Sequence, residues 1–259
     1  MPNGVAKLPS AFFFKLPLKN SSFIIYHLSF QLYLRPNFKN MYEQILKDLQ
    51  PTNTQLIAVS KTKPNEAIME LYDKGQRAFG ENYVQELVDK YAALPKDFEW
   101  HFIGHLQSNK VKYIAPFVHT IHSVDSFKLL QEIDKQAFKN NRKIKCLLQF
   151  HIADEESKFG FDTEGVRLMI EDVLWSDCKN IEICGVMGMA TFTDDKGQVK
   201  HEFQTLKKIF DTLKNSYFID NQSFKDISMG MSDDYKMAIE EGSTMVRIGS
   251  LLFGKRTYN

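Results

Sequence analysis

From Leu56 onward, short apolar runs alternate with longer stretches whose apolar positions recur at three- and four-residue spacing. The runs 56–60, 77–80, 100–104, 120–123, 145–152, 181–187, 226–229 and 245–248 read as strands. Between them, 65–74, 83–94, 127–140, 166–175, 199–214 and 232–241 read as amphipathic helices. Ser126 and Ser232 stand where N-caps are expected, and Gly242 where a C-cap is expected. Strands alternating with helices imply an α/β fold with a parallel sheet. Eight such units in about 200 residues favour a closed (β/α)8 TIM barrel. A doubly wound open sheet is the alternative that strand counting leaves standing.

The first forty residues lack this grammar. They hold Lys7, Lys15, Lys19, Arg35 and Lys39, no Asp or Glu, and six Phe. Taking those five positive charges from the total of +1 leaves −4 for the rest of the chain. A basic, acid-free stretch resembles a transit peptide, and a signal peptide is disfavoured because Lys15 and Lys19 interrupt the apolar run. The reading preferred here is a non-domain leader, 1–40, translated upstream of a start at Met41. The barrel then spans 41–259, and its first amphipathic helix covers 42–49.

The whole chain has 259 residues, with 33 Lys and Arg against 32 Asp and Glu, so no strong field recruits nucleic acid or an anionic membrane. No apolar run is long enough to span a bilayer. Three scattered cysteines, Cys146, Cys178 and Cys184, suit neither a disulfide framework nor a cysteine zinc site, and fit a reducing compartment.

In a barrel of this kind the active site lies at the carboxyl ends of the strands, with phosphate commonly bound after strands seven and eight. Lys61 directly follows the first apolar run. Partial removal from water lowers a lysine pKa and leaves an amine able to attack an aldehyde, although a lone lysine at a strand end is more often just solvated. Strand seven ends in Ser228-Met229-Gly230-Met231-Ser232, and strand eight contains Arg247 and ends in Gly249-Ser250. Singly, each glycine or serine suits an ordinary turn or cap. Together, two polar glycine turns and an amine nucleophile describe a site for a phosphorylated aldehyde. Asn82 and His105 stand at the ends of strands two and three. His101 and His105 share a strand face but lack a third ligand nearby, so no metal is assigned. No GxGxxG or Walker motif supports a dinucleotide or ATP.

Eight segments are also familiar in order: AVSKTKP (58–64), FGENYVQEL (79–87), WHFIGHLQSNKVKYI (100–114), HSVDS (122–126), EESKFGF (155–161), GVMGMAT (185–191), SMGMSDDYKMAIEEGSTMVRIG (228–249) and LLFG (251–254). They resemble the YggS/PROSC family of pyridoxal phosphate homeostasis proteins. The resemblance implies a single barrel like the N-terminal domain of alanine racemase, of the fold-type III class that binds pyridoxal 5′-phosphate (PLP). It makes Lys61 the lysine that holds PLP as a Schiff base. It places Ser228, Gly230, Gly249 and Ser250 at the phosphate, Arg247 against the pyridine nitrogen, and Asn82 and His105 along the pocket. The strand-five end reads Gln149-Phe150-His151, where the family often has asparagine last. That departure concerns the rim and not the cofactor.

The implied role is intracellular vitamin B6 balance rather than catalysis. An arginine stays charged at any ordinary pH and does not leave the ring nitrogen protonated, which weakens the electron sink. A racemase, the alternative reading, needs a second base, for which only Tyr83 and His105 stand nearby. A barrel without cofactor, acting through protein contacts, is a third reading. A cytoplasmic monomer that binds PLP, with PLP-dependent apoenzymes as recipients, is the expectation.

Overall fold

The computed structural model describes residues 36–153 and 160–254. The chain divides between Asn40 and Met41, and the architecture below is that of the Met41–Asn259 unit. Of residues 1–40, only the start of a helix falls within the described residues. That helix, α1, runs Pro36–Leu49 and so begins before Met41, earlier than the sequence pattern suggests. From Met41 onward, Tyr42, Ile45 and Leu49 are its buried positions.

Eight strands close a parallel barrel in chain order: β1 Gln55–Val59, β2 Ala78–Glu81, β3 Glu99–Phe102, β4 Thr120–Val124, β5 Ile144–Gln149, β6 Ile181–Met187, β7 Asp226–Ser228 and β8 Met245–Ile248. The ring is sealed where β1 pairs with β8, with Ile57 opposite Arg247. Several strands are buried along their whole length, β2, β4 and β8 among them. That is the pattern of strands covered on both faces, and it explains why they read as continuous apolar runs rather than alternating ones. Ile57, Ala78, Leu147, Cys184, Met187 and Met245 form one buried cluster.

Between the strands lie α2 Asn65–Tyr72, α3 Val84–Ala93, α4 Val111–Ile114, α5 Phe127–Lys139, α6 Thr163–Glu171, α7 Lys196–Ser216 and α8 Tyr235–Glu240, with α9 Ser250–Phe253 after β8. Ser126 caps α5 by accepting the Leu129 N–H at 3.4 Å, and Leu129, Leu130, Ile133 and Ala137 bury its inner face. Asp195 caps α7 by accepting from Gly197 and Gln198. Gly242 follows α8 at φ +94 and bonds to the Ile239 carbonyl, as expected. Some expectations shift, and two bear on the site. Strand five stops at Gln149 rather than 152. The helix expected over 232–241 starts at Tyr235, so Ser232 is not its cap.

Candidate active site

A cleft of about 290 Å³ opens at the carboxyl ends of the strands. Lys61 reaches it from the turn after β1, Asn82 from the end of β2, and Arg247, Gly249 and Ser250 from β8 and the residues after it. Five of the eight residues expected at the site thus line one wall system. A larger depression of about 540 Å³ lies beside Glu86 and Lys90. The groups with cofactor chemistry line the smaller cleft.

Close approach of β8 to β1 shapes the cradle. A Cβ on Gly249 would stand 3.2 Å from the Val59 carbonyl oxygen and 3.3 Å from its Cβ, tighter than ordinary packing. The Gly249 N–H reaches Ser232 Oγ at 3.3 Å. Displaced from the cap position, Ser232 therefore stands in the cleft beside Ser250. Asn82 Oδ1 is sealed from solvent and has no hydrogen-bond partner among the described residues. A buried polar atom left in that state calls for a partner, and this one belongs to a residue lining the cleft.

Arg247 is 4% exposed. Its guanidinium donates to Ser228 Oγ at 2.6 Å and to the Gly188 carbonyl at 3.0 Å. Burial pushes its pKa down to about 10, with Asp234 opposing, so it keeps its charge at neutral pH. Ser228 is fully buried and meets His122 Nδ1 at 2.9 Å; His122 Nε2 meets His101 Nδ1 at 2.8 Å. A line of polar groups thus crosses the barrel interior beneath the arginine. Burial drives His101 down to about 3 and His122 well below the ordinary imidazole value, so both are neutral.

Ser228, Gly230 and His105 are not on the cleft wall. Gly230 adopts φ +91 and accepts the Arg247 N–H at 3.0 Å. A Cβ there would stand 2.5 Å from Ala238 Cβ, so glycine is required by both backbone and packing. His105 Nδ1 is 3.2 Å from Asp125 Oδ2, and its side chain is 44% exposed. His101 is joined to His122 and not to His105. At the far end of β3 and β4, ligand atoms of Glu99, His101 and His119 lie within 4.8 Å of one another. Burial is the main cause lowering both of those imidazoles; at His119, Glu99 opposes it ahead of the smaller lowering by Lys145 and Arg142.

Several cleft residues escape the sequence pattern. Met189, Phe192 and Met231 supply apolar wall, and Phe192 is 85% exposed. An aromatic residue in a polar loop is the one local signal for them. Lys63 also lines the cleft and donates to the Phe253 and Gly254 carbonyls, each at 3.2 Å. Part of the 155–161 motif, residues 155–159, lies outside the described residues. No helix among the described residues is long and apolar enough to cross a membrane.

Comparison with known proteins agrees with the barrel fold. The chain matches the family described as "Alanine racemase, N-terminal domain" over residues 34–257. A pyridoxal phosphate homeostasis protein of Aquifex aeolicus (strain VF5) is 43% identical over 205 residues, 79% of this chain and 88% of that protein. The Homo sapiens protein of that name is 38% identical over 224 residues, 82% of this chain and 80% of its own. The solved structures of PipY from Synechococcus elongatus PCC7942 are 34% identical and cover 84% of this chain and 100% of theirs. Their TM-scores are 0.77 without PLP and 0.75 with PLP bound. With its barrel, its cleft and these relatives, the chain belongs to the family of pyridoxal phosphate homeostasis proteins.

Proposed function

We propose that this protein binds pyridoxal 5′-phosphate and serves intracellular vitamin B6 balance as a holder of the cofactor rather than a catalyst. The observation that carries this is the gathering of Lys61, Arg247, Gly249 and Ser250, with Ser232, in one cleft. When bound, PLP supplies a reactive aldehyde, a pyridine ring and an anionic phosphate handle. Each has a partner of matching chemistry. Lys61 offers the ε-amine to which the aldehyde carbon is tethered. Arg247 presents only donors, fixed by Ser228 and Gly188, toward the ring nitrogen. Ser232, Ser250 and the Gly249 amide suit the phosphate, with Gly230 holding the adjacent turn. The lone Asn82 Oδ1 fits a polar ring substituent.

Two features support carriage over turnover. A charged arginine supplies no proton to the ring nitrogen, so Arg247 limits the ring as an electron sink. Among the described residues lining the cleft there is no tyrosine or histidine to act as a second base. Tyr83 is 58% exposed and, like His105, stands outside the cleft wall. Ser228 acts through Arg247 in this reading, and His105 at the rim. Residues 41–259 suffice for the activity, which we place in the cytoplasm of a monomer that passes PLP to dependent apoenzymes. Buried thiols at Cys146 and Cys184 suit that reducing compartment.

Titration of purified protein with PLP tests the reading, beside Lys61→Ala. Saturable binding that Lys61→Ala weakens, with single amino-acid enantiomers unchanged after long incubation, is expected. Absent binding would overturn the cofactor assignment, and loss of one enantiomer would turn the protein into a racemase.

A further inference from the structure

The two residues flanking Lys61 are held by one cluster of charges. Lys90, on α3, is 5% exposed and commits three donated bonds: to the Ser60 carbonyl at 2.8 Å, to Glu81 Oε1 at 2.8 Å and to Glu86 Oε1 at 2.6 Å. Those are all the donors a lysine has. Ser60 Oγ donates to the same Glu81 oxygen at 2.6 Å, and the Thr62 N–H donates to the same Glu86 oxygen at 2.5 Å. Ser60 is therefore tied to Glu81, Thr62 to Glu86, and Lys90 joins the two carboxyl groups. The turn is closed by the Lys63 N–H bonding to the Ser60 carbonyl at 3.0 Å. At φ +63, Thr62 occupies the left-handed region that a β-branched residue adopts only when its surroundings impose it.

A buried ion pair is often no more stabilising than apolar side chains of the same volume, so this cluster's contribution is sought in geometry. The strained Thr62 and the doubly anchored Ser60 leave the Lys61 backbone little freedom to turn.

We propose that Lys90, with Glu81 and Glu86, is a positioning group that aims the Lys61 amine at the aldehyde carbon of the bound cofactor. The inference rests on the reading of Lys61 as the cofactor lysine. It predicts an effect confined to ligands that carry the aldehyde, because Ser232, Gly249 and Ser250, which suit the phosphate, make no bond to this charge cluster.

The test compares dissociation constants for PLP and for pyridoxine 5′-phosphate, which has an alcohol in place of the aldehyde. Wild type, Glu86→Ala, Glu86→Gln, Lys90→Met and Lys61→Ala are measured, with folding checked by circular dichroism. Glu86→Ala and Lys90→Met should each weaken PLP by about tenfold. Both should leave the alcohol within about twofold of wild type. Glu86→Gln keeps an acceptor for the Thr62 N–H and should restore most of the PLP affinity. Equal losses for both ligands, or none, would overturn the positioning role. If Lys90→Met fails to fold, the Glu86→Ala and Glu86→Gln pair decides by the same criteria. A wild type that binds the two ligands equally, or a Lys61→Ala protein that keeps the preference for the aldehyde, would sink the reading of Lys61 and the positioning role with it.

Discussion

The guanidinium of Arg247 donates to Ser228 Oγ across 2.6 Å, inside the barrel and beneath the cleft. Sequence pattern and family resemblance both place Ser228 at a phosphate. The geometry makes it the support of the arginine, with His122 on its other side. Ser228→Ala should cost about 1–3 kcal/mol in urea unfolding, the range for leaving a buried charged donor short of a partner. Its effect on PLP affinity should be smaller than that of Lys61→Ala. An unchanged urea midpoint would show that the bond contributes nothing.

The two histidines behind Ser228 give an acid signature. Their pKa values are depressed in the folded protein, His101 to about 3, so the unfolded chain binds protons that the native one refuses. The stability they contribute is complete above the ordinary imidazole value near 6.5 and is lost as pH falls below it. Each then removes about 1.4 kcal/mol per pH unit. Urea unfolding from pH 7 to 4 should show this slope, and His101→Gln should flatten it by close to one proton. A pH-independent midpoint over that window would contradict neutral buried imidazoles.

Asp226 opens β7 and runs the other way. Burial raises its pKa from about 3.8 to about 6, so the folded state favours the protonated acid. Stability from this group is present below 3.8 and lost as pH rises through 6. Asp226→Asn should therefore raise stability at pH 8 by ~2–3 kcal/mol and change little near pH 4. Equal midpoints at pH 8 would show that the carboxylate is well solvated.

Much of the barrel is legible in the sequence because strands buried on both faces leave continuous apolar runs. β6 and β8 fall where the pattern places them. β5 is overextended in the pattern because Phe150 stays buried past the end of the ladder, paired with Phe161 in an isolated bridge. Lys61, Asn82, Arg247, Gly249 and Ser250 are legible as neighbours lining one cleft because each lies at or just past the carboxyl end of a strand. Ser228 misleads for a physical reason: polarity at a strand end does not say whether a hydroxyl faces ligand or a neighbouring guanidinium. Ser232 misleads because an N-cap and a cleft hydroxyl share one sequence signal, and α8 starts three residues after it, at Tyr235, with Asp234 in the N-cap position. The Lys90 cluster is hidden because Ser60, Thr62 and Glu81 meet the Glu86–Lys90 pair only when α3 folds back on β1 and β2.

Truncation to Met41 tests the proposed sufficiency of residues 41–259. The shortened chain keeps Tyr42, Ile45 and Leu49, which are buried in α1. Its melting temperature and PLP content should match those of the full chain. A large fall in either would assign the first forty residues a structural or binding role.

The central claim is a covalent place for PLP on one lysine. Incubating the protein with PLP, reducing with borohydride and mapping the peptides tests it most directly. The account predicts a yellow protein before reduction and a pyridoxyl adduct on Lys61, lost in Lys61→Ala. A protein that stays colourless, or that labels only scattered surface lysines, would contradict it.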